Sequence, residues 1–132
     1  DMPDEYLEQV AFGSTELSTQ LMFAATLINS TLLADFMRNV VLDAKRMFRE
    51  SLDIGDWESY WEDRCRLFPE LANMSDASTY KISQVAFKAI ADGGYIETTR
   101  SKKLQNVYLL PEVRQLLLSI DREDIIAAME LI

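Results

Sequence analysis

Lys81, Gln84 and Lys88 recur at spacings of three and four within "STYKISQVAFKAIAD", which sets them on one ridge if the segment is helical. Lysine meets phosphates or guanine acceptors and glutamine pairs with the edge of adenine, so such a ridge carries the chemistry of a DNA major-groove contact. Further on, "TTRSKK" gathers Arg100, Lys102 and Lys103 as candidate phosphate contacts, with Thr98, Thr99 and Ser101 as hydroxyl donors. Residues 79–103 hold five cations against two acids, a surplus of three, whereas the whole chain carries −9; the remainder therefore sums to −12. A positive segment in an acidic chain points to an anionic partner if its charges share one surface. The plainer reading of the same residues is a solvated helix face and a solubilising turn.

Other chemistries find little material. The 132 residues include no histidine, which removes histidine bases, Ser-His-Asp and Cys-His triads and histidine-ligated metal. A single cysteine, Cys65, allows no internal disulfide and no CxxC pair, consistent with a reducing cytoplasm. Its surroundings have a helical apolar pattern, so a core position is expected. "DIGDWESYWED" clusters Asp53, Asp56, Glu58, Glu62 and Asp63, but acids at a helix start are favoured by the dipole without any metal. No phosphate-cradling glycine motif occurs. The expectation is a nonenzymatic protein with no cofactor and no metal.

Helices must position these residues. Hydrophobic residues make up 48% of the chain with only four Gly and three Pro, enough apolar material for a core without disulfides. Pro3 and Gly13 bracket a short helix over 3–12. Ser14 caps a second, with Leu17, Leu21, Ala24, Ala25 and Ile28 on one face. Ser30 or Thr31 restarts the helix, and Leu33, Phe36, Met37, Val40, Val41, Ala44 and Phe48 continue its apolar period until Gly55. Asp56 then caps a helix over 57–68 whose Trp57, Tyr60, Trp61, Arg64 and Phe68 share one side, and Pro69 closes it. Ser75, Asp76 or Ser78 caps the helix carrying the cationic ridge, with Ile82, Val85, Ala86 and Ala89 as its buried stripe. Gly93-Gly94 ends it. Tyr95–Thr98 and Val107–Leu110 read as two short strands around the polar tip. Pro111 opens a further helix through Leu118, and Asp121 with Asp124 caps the last, to about Met129.

The predicted fold is therefore mainly α: a helical lobe over 1–70, and over 71–132 a winged-helix-like lobe with one short β-hairpin packed against it. The stretch Leu17–Ala34 is too polar to cross a bilayer, and residues 1–8 show no secretory signal. Tyr80 and Phe87 lie off the apolar stripe, where they are either covered by another helix or form a partner surface.

Three segments, "LMFAATLINSTLLADFMRNVV", "MSDASTYKISQVAFKAIADGGYIE" and "VYLLPEVRQLL", resemble the BrxA family, small proteins of BREX bacteriophage-defence systems, over most of residues 15–125. Ser78, Thr79 and Lys81 at the start of the ridge helix carry the most specific part of the likeness. The resemblance implies an all-helical protein of two small lobes with helix-turn-helix or winged-helix character, duplex DNA binding and no catalytic activity. Members are longer, so this chain would be a C-terminal portion without an N-terminal helical lobe. The reading that follows is a cytoplasmic accessory protein contacting double-stranded DNA through Thr79, Lys81, Gln84, Lys88, Arg100, Ser101, Lys102 and Lys103, alongside other components of a phage-defence complex, with no membrane and no small-molecule cofactor. The alternative is an adaptor that docks larger defence components through the winged unit, Tyr80, Phe87 and the acidic region, without touching DNA.

Overall fold

A computed structural model describes residues 15–131. The helix expected over 3–12, with its Gly13 stop and Ser14 cap, lies outside the described residues. Helix α1 (Thr15–Asn29) meets the helical run Thr31–Arg46, which begins as α2 (Thr31–Phe36), at 108°. Ser30 makes the corner: its extended backbone leaves α1 while its hydroxyl accepts the Leu33 N–H at 3.2 Å, the N-cap that restarts a helix. α2 runs through a π-helical turn, Met37–Val41, into α3 (Leu42–Arg46). The wider turn carries Met37 and Val41 fully buried and packs on the last helix. No single described helix is long and apolar enough to cross a membrane.

The third apolar period ends earlier than predicted. α3 stops at Arg46, the amides of Phe48 and Arg49 bond back to Lys45 and Ala44, and Phe48 takes a left-handed φ of 57°. Phe48 is thereby turned out to 92% exposure rather than into the core. Gly55 does not end this helix; it lies in the first turn of α4 (Ile54–Leu67). The cap is Asp53, not Asp56: each of these two side chains accepts the other's backbone N–H, at 3.2 and 2.8 Å, a reciprocal capping box. Trp57 and Tyr60 enter the core, while Trp61 and Cys65 are half-buried and Phe68 is exposed.

A 3-10 turn (Pro69–Asn73) leads to α5 (Asp76–Asp92), capped by Ser75 through the Ser78 N–H. Its buried positions are Ser83, Ala86, Phe87 and Ile90. The stripe is rotated by one residue from the predicted one: Val85 is 69% exposed and Phe87 only 3%. The rings of Phe36 and Trp57 receive Phe87 at 6.2 and 6.4 Å, and aromatic burial of this size outweighs a smaller valine. α5 ends in a Schellman motif, with Gly94 at φ 88° and the amides of Gly94 and Tyr95 reaching Ala91 and Ile90. α6 (Pro111–Ser119) and α7 (Glu123–Met129) follow, separated by Asp121 in a left-handed conformation. One cluster of buried side chains runs from Leu17 to Leu131, with Leu27, Phe36, Ile90, Leu116, Ile125 and Met129 at its centre.

The predicted β-hairpin does not form, and with it the winged-helix unit finds no support. Among the described residues there are only isolated bridges, Ile96 with Leu104 and Ser51 with Lys103. The segment 107–110 is held differently. The buried Gln20 side chain donates to the Tyr108 carbonyl and accepts from the Leu110 N–H, each at 2.9 Å, so its amide stands where a neighbouring strand would pair. Lys45 Nζ fixes the preceding turn through the Gln105 carbonyl and Asn106 Oδ1.

Candidate nucleic-acid interface

On α5, Lys81, Gln84 and Lys88 are all exposed and fall within one sector of the helix. Lys81 has no acidic partner among the described residues, and Lys88 Nζ lies 3.4 Å from Asp92 Oδ2 in a pair exposed on both sides, weak enough to be exchanged for another anion. Thr79 is elsewhere. Two residues from Lys81 on a helix is a rotation of about 200°, and Thr79 lies in a cleft beside Trp57 while its hydroxyl donates to the Ser75 carbonyl at 2.6 Å. The structure thus separates Thr79 from the ridge.

The 98–103 tip is a compact turn. Thr98 Oγ1 accepts the Ser101 N–H at 2.9 Å, and the Lys102 N–H reaches the Thr98 carbonyl at 2.9 Å. Ser101 Oγ contacts both Thr98 Oγ1 and Glu97 Oε1. Two of the three hydroxyls predicted as DNA donors, those of Thr98 and Ser101, therefore hold the turn itself. Lys102, at φ 51°, folds its ammonium inward, 2.7 Å from the Thr99 carbonyl and 4.9 Å above the Phe87 ring, a cation–π contact. Arg100 and Lys103 remain exposed, with no carboxylate within ion-pair distance among the described residues. Phe87, offered by the sequence as a partner surface, is the floor under Lys102; Tyr80 is 60% exposed.

Sequence reasoning missed what lies beside this tip. Glu50 and Leu52 hydrogen-bond through their backbones to Leu104 and Lys102, each at 2.9 Å, so the 47–52 turn is tied to the cationic turn. Arg46, exposed, and Phe48 line a groove with Leu104 and Asn106. The helical period of the sequence assigned Phe48 to the core; only its left-handed backbone turns it outward, and no residue type signals that at a phenylalanine. Next to this groove, Arg49 grips Asp56 with two bonds of 2.8 and 2.9 Å. Burial alone would raise the Asp56 carboxyl, but the Arg49 hydrogen bonds and charge and the Asp53 N–H together hold it below its ordinary value.

The arrangement offers exposed lysine and arginine side chains to an oxygen-rich anion and one exposed amide to a hydrogen-bonding edge. Comparison with known proteins adds the biological setting. A family model described as BrxA matches residues 2–121. The chain is 38% identical over 121 residues to the BREX protein BrxA of Escherichia coli, covering 92% of this chain and 57% of that one. It is 33% identical over 112 residues to the BREX protein BrxA of Paramagnetospirillum magneticum, covering 85% and 56%. The crystal structure of an uncharacterized protein from Magnetospirillum magneticum superposes with a TM-score of 0.90 at 30% identity, over 99% of this chain and 69% of that one. The chain thus spans a little over half the length of the curated relatives it matches.

Proposed function

The chain belongs to the BrxA family of BREX phage-defence systems, and from that premise we propose that it acts in the cytoplasm as a noncatalytic accessory component that contacts double-stranded DNA beside other members of a defence complex. Lys81, Gln84 and Lys88 on α5 meet one stretch of duplex, and Arg100 and Lys103 meet phosphates from the adjacent turn. Gln84, flanked by the two lysines, is the residue able to read a base edge; the cations supply register and attraction. Lys102 acts indirectly, by bracing the turn against Phe87.

The observation that carries this reading is the set of exposed cations without carboxylate partners, Lys81, Arg100 and Lys103, in a chain whose remaining residues are strongly acidic. The test is duplex binding by fluorescence anisotropy at several salt concentrations, with the native chain and with K81E, K88E, R100E and K103E combined. The combined variant is expected to lose roughly tenfold or more in affinity at low salt, and to show a flatter salt dependence. Equal binding by a folded variant would remove this surface from the proposal.

A further inference from the structure

On the other side of α5 lies a cleft of opposite character. It runs between α4 and the start of α5, has a volume of about 630 Å³, and is walled by Trp57, Trp61 and Tyr80, with Glu58, Glu62 and Asp76 as its acidic groups. All three carboxylates are exposed and have no lysine or arginine within ion-pair distance among the described residues; no cation lines the cleft. The Trp57 and Trp61 rings are nearly parallel, 6.2 Å apart and inclined by 19°. Trp57 is 2% exposed, yet its Nε1–H has no hydrogen-bond partner among the described residues. A buried indole N–H ordinarily finds an acceptor, and leaving it unpaired costs about 1–3 kcal/mol.

These features select a ligand. Aromatic faces present negative quadrupole density to cations, and unpaired carboxylates add full charge. A phosphate backbone is repelled here, so the cleft is not an extension of the DNA surface. A lone guanidinium or ammonium fills only part of the volume, and the cleft also offers Ile54, Leu71 and Met74 to aliphatic stems. We propose that this cleft is a docking site for a basic segment of a partner protein. An arginine or lysine stem lies along Trp61 and Tyr80, and its head meets Glu58, Glu62 and Asp76. The proposal stands whether or not the opposite face of α5 meets DNA.

The chain has two tryptophans and both line this cleft, so intrinsic fluorescence reports on it directly. The probe is a short acetylated and amidated peptide with two arginines in an alanine–leucine background. It is expected to give a saturable change in tryptophan emission that weakens with salt. Replacing its arginines by citrulline should abolish the change, and the combined variant E58Q, E62Q and D76N should weaken it about tenfold. Those three side chains support nothing in the core, and a melt followed by circular dichroism verifies folding; Trp61→Leu is the independent second variant. No saturable change at millimolar peptide, an equal response to the citrulline peptide, or unchanged binding by the folded triple variant would each overturn the proposal. So would spermidine displacing the peptide at equal affinity, which marks a small-cation site, or a concentration-dependent emission change with dimer formation in the absence of peptide, which marks a second copy as the occupant.

Discussion

Two side chains make the residue-scale case that backbone groups, not apolar content alone, decide how this chain runs. Gln20 is buried and bonds two backbone groups almost ninety positions away, the Tyr108 carbonyl and the Leu110 N–H. Gln20→Ala leaves both without their partner, and a loss of roughly 1–3 kcal/mol is expected in a urea melt. Gln20→Glu is the sharper probe, because it keeps the acceptor for Leu110 but faces the Tyr108 carbonyl with a second acceptor; it should be no better than alanine despite its near-identical shape. Phe48 makes the converse case. It spends a left-handed conformation on a side chain that is 92% exposed, which for a non-glycine residue costs about 1–2 kcal/mol. Phe48→Gly should therefore raise stability by about 1 kcal/mol in the same measurement. A fall in stability would mean that the ring makes contacts that its exposure does not reveal.

At the scale of elements, the end of α5 is where local chemistry and packing agree most closely. Gly93 keeps an ordinary φ, but a Cβ there would sit 2.8 Å from the Phe23 ring, and Gly94 needs its φ of 88° to close the Schellman turn. Gly93→Ala is expected to destabilise by about 1–3 kcal/mol through the clash, and Gly93→Ala combined with Phe23→Leu should recover part of that loss; thermal melts of the single and double variants decide it. This turn was legible because a Gly-Gly pair after an apolar helical period has few alternatives. So were the proline start of α6 and the predominantly helical character, while the cap of α5 was narrowed only to Ser75, Asp76 or Ser78. What was not legible depended on distant partners. Tyr95–Thr98 and Val107–Leu110 have strand composition, yet Gln20 takes the backbone groups of the second run and leaves no ladder. Val85 and Phe87 compete for the same burial on α5, and the tertiary neighbours Phe36 and Trp57 choose the larger ring. In the candidate interface the ridge of Lys81, Gln84 and Lys88 was readable from spacing. The inward fold of Lys102 and the diversion of Thr79 were not, since both depend on contacts outside the ridge.

For the whole molecule, two helix-linking networks set how its stability responds to pH. Asp35 on α2 receives the Tyr60 hydroxyl at 2.7 Å, the Asn39 amide at 2.8 Å and the Arg64 guanidinium, while Arg49 and Asp56 tie the turn after α3 to the start of α4. The Asp56 carboxyl is held below its ordinary 3.8 by Arg49 and the Asp53 N–H against the opposing effect of burial. The unfolded chain thus takes up this proton first as pH falls, so the contribution is intact above 3.8 and disappears through the lower folded value. Arg49→Met should lower stability at neutral pH and flatten the acid limb of the stability curve. Tyr60 has the opposite sign. Burial pushes its hydroxyl from 10.0 up to about 12, so the folded state keeps a proton that the unfolded state gives up, and its contribution, whole below pH 10, is lost as pH rises towards 12. In urea melts from pH 3 to 11, the native chain should lose stability beyond pH 10 more steeply than Tyr60→Phe, which has no proton to release. At neutral pH that variant should instead be less stable by about 1–2 kcal/mol, having lost the bonds to Asp35 and the Leu32 carbonyl. Parallel alkaline limbs in the two proteins would show that the Tyr60 proton is not held by the fold, and the difference measurement matters because lysines titrate in the same range.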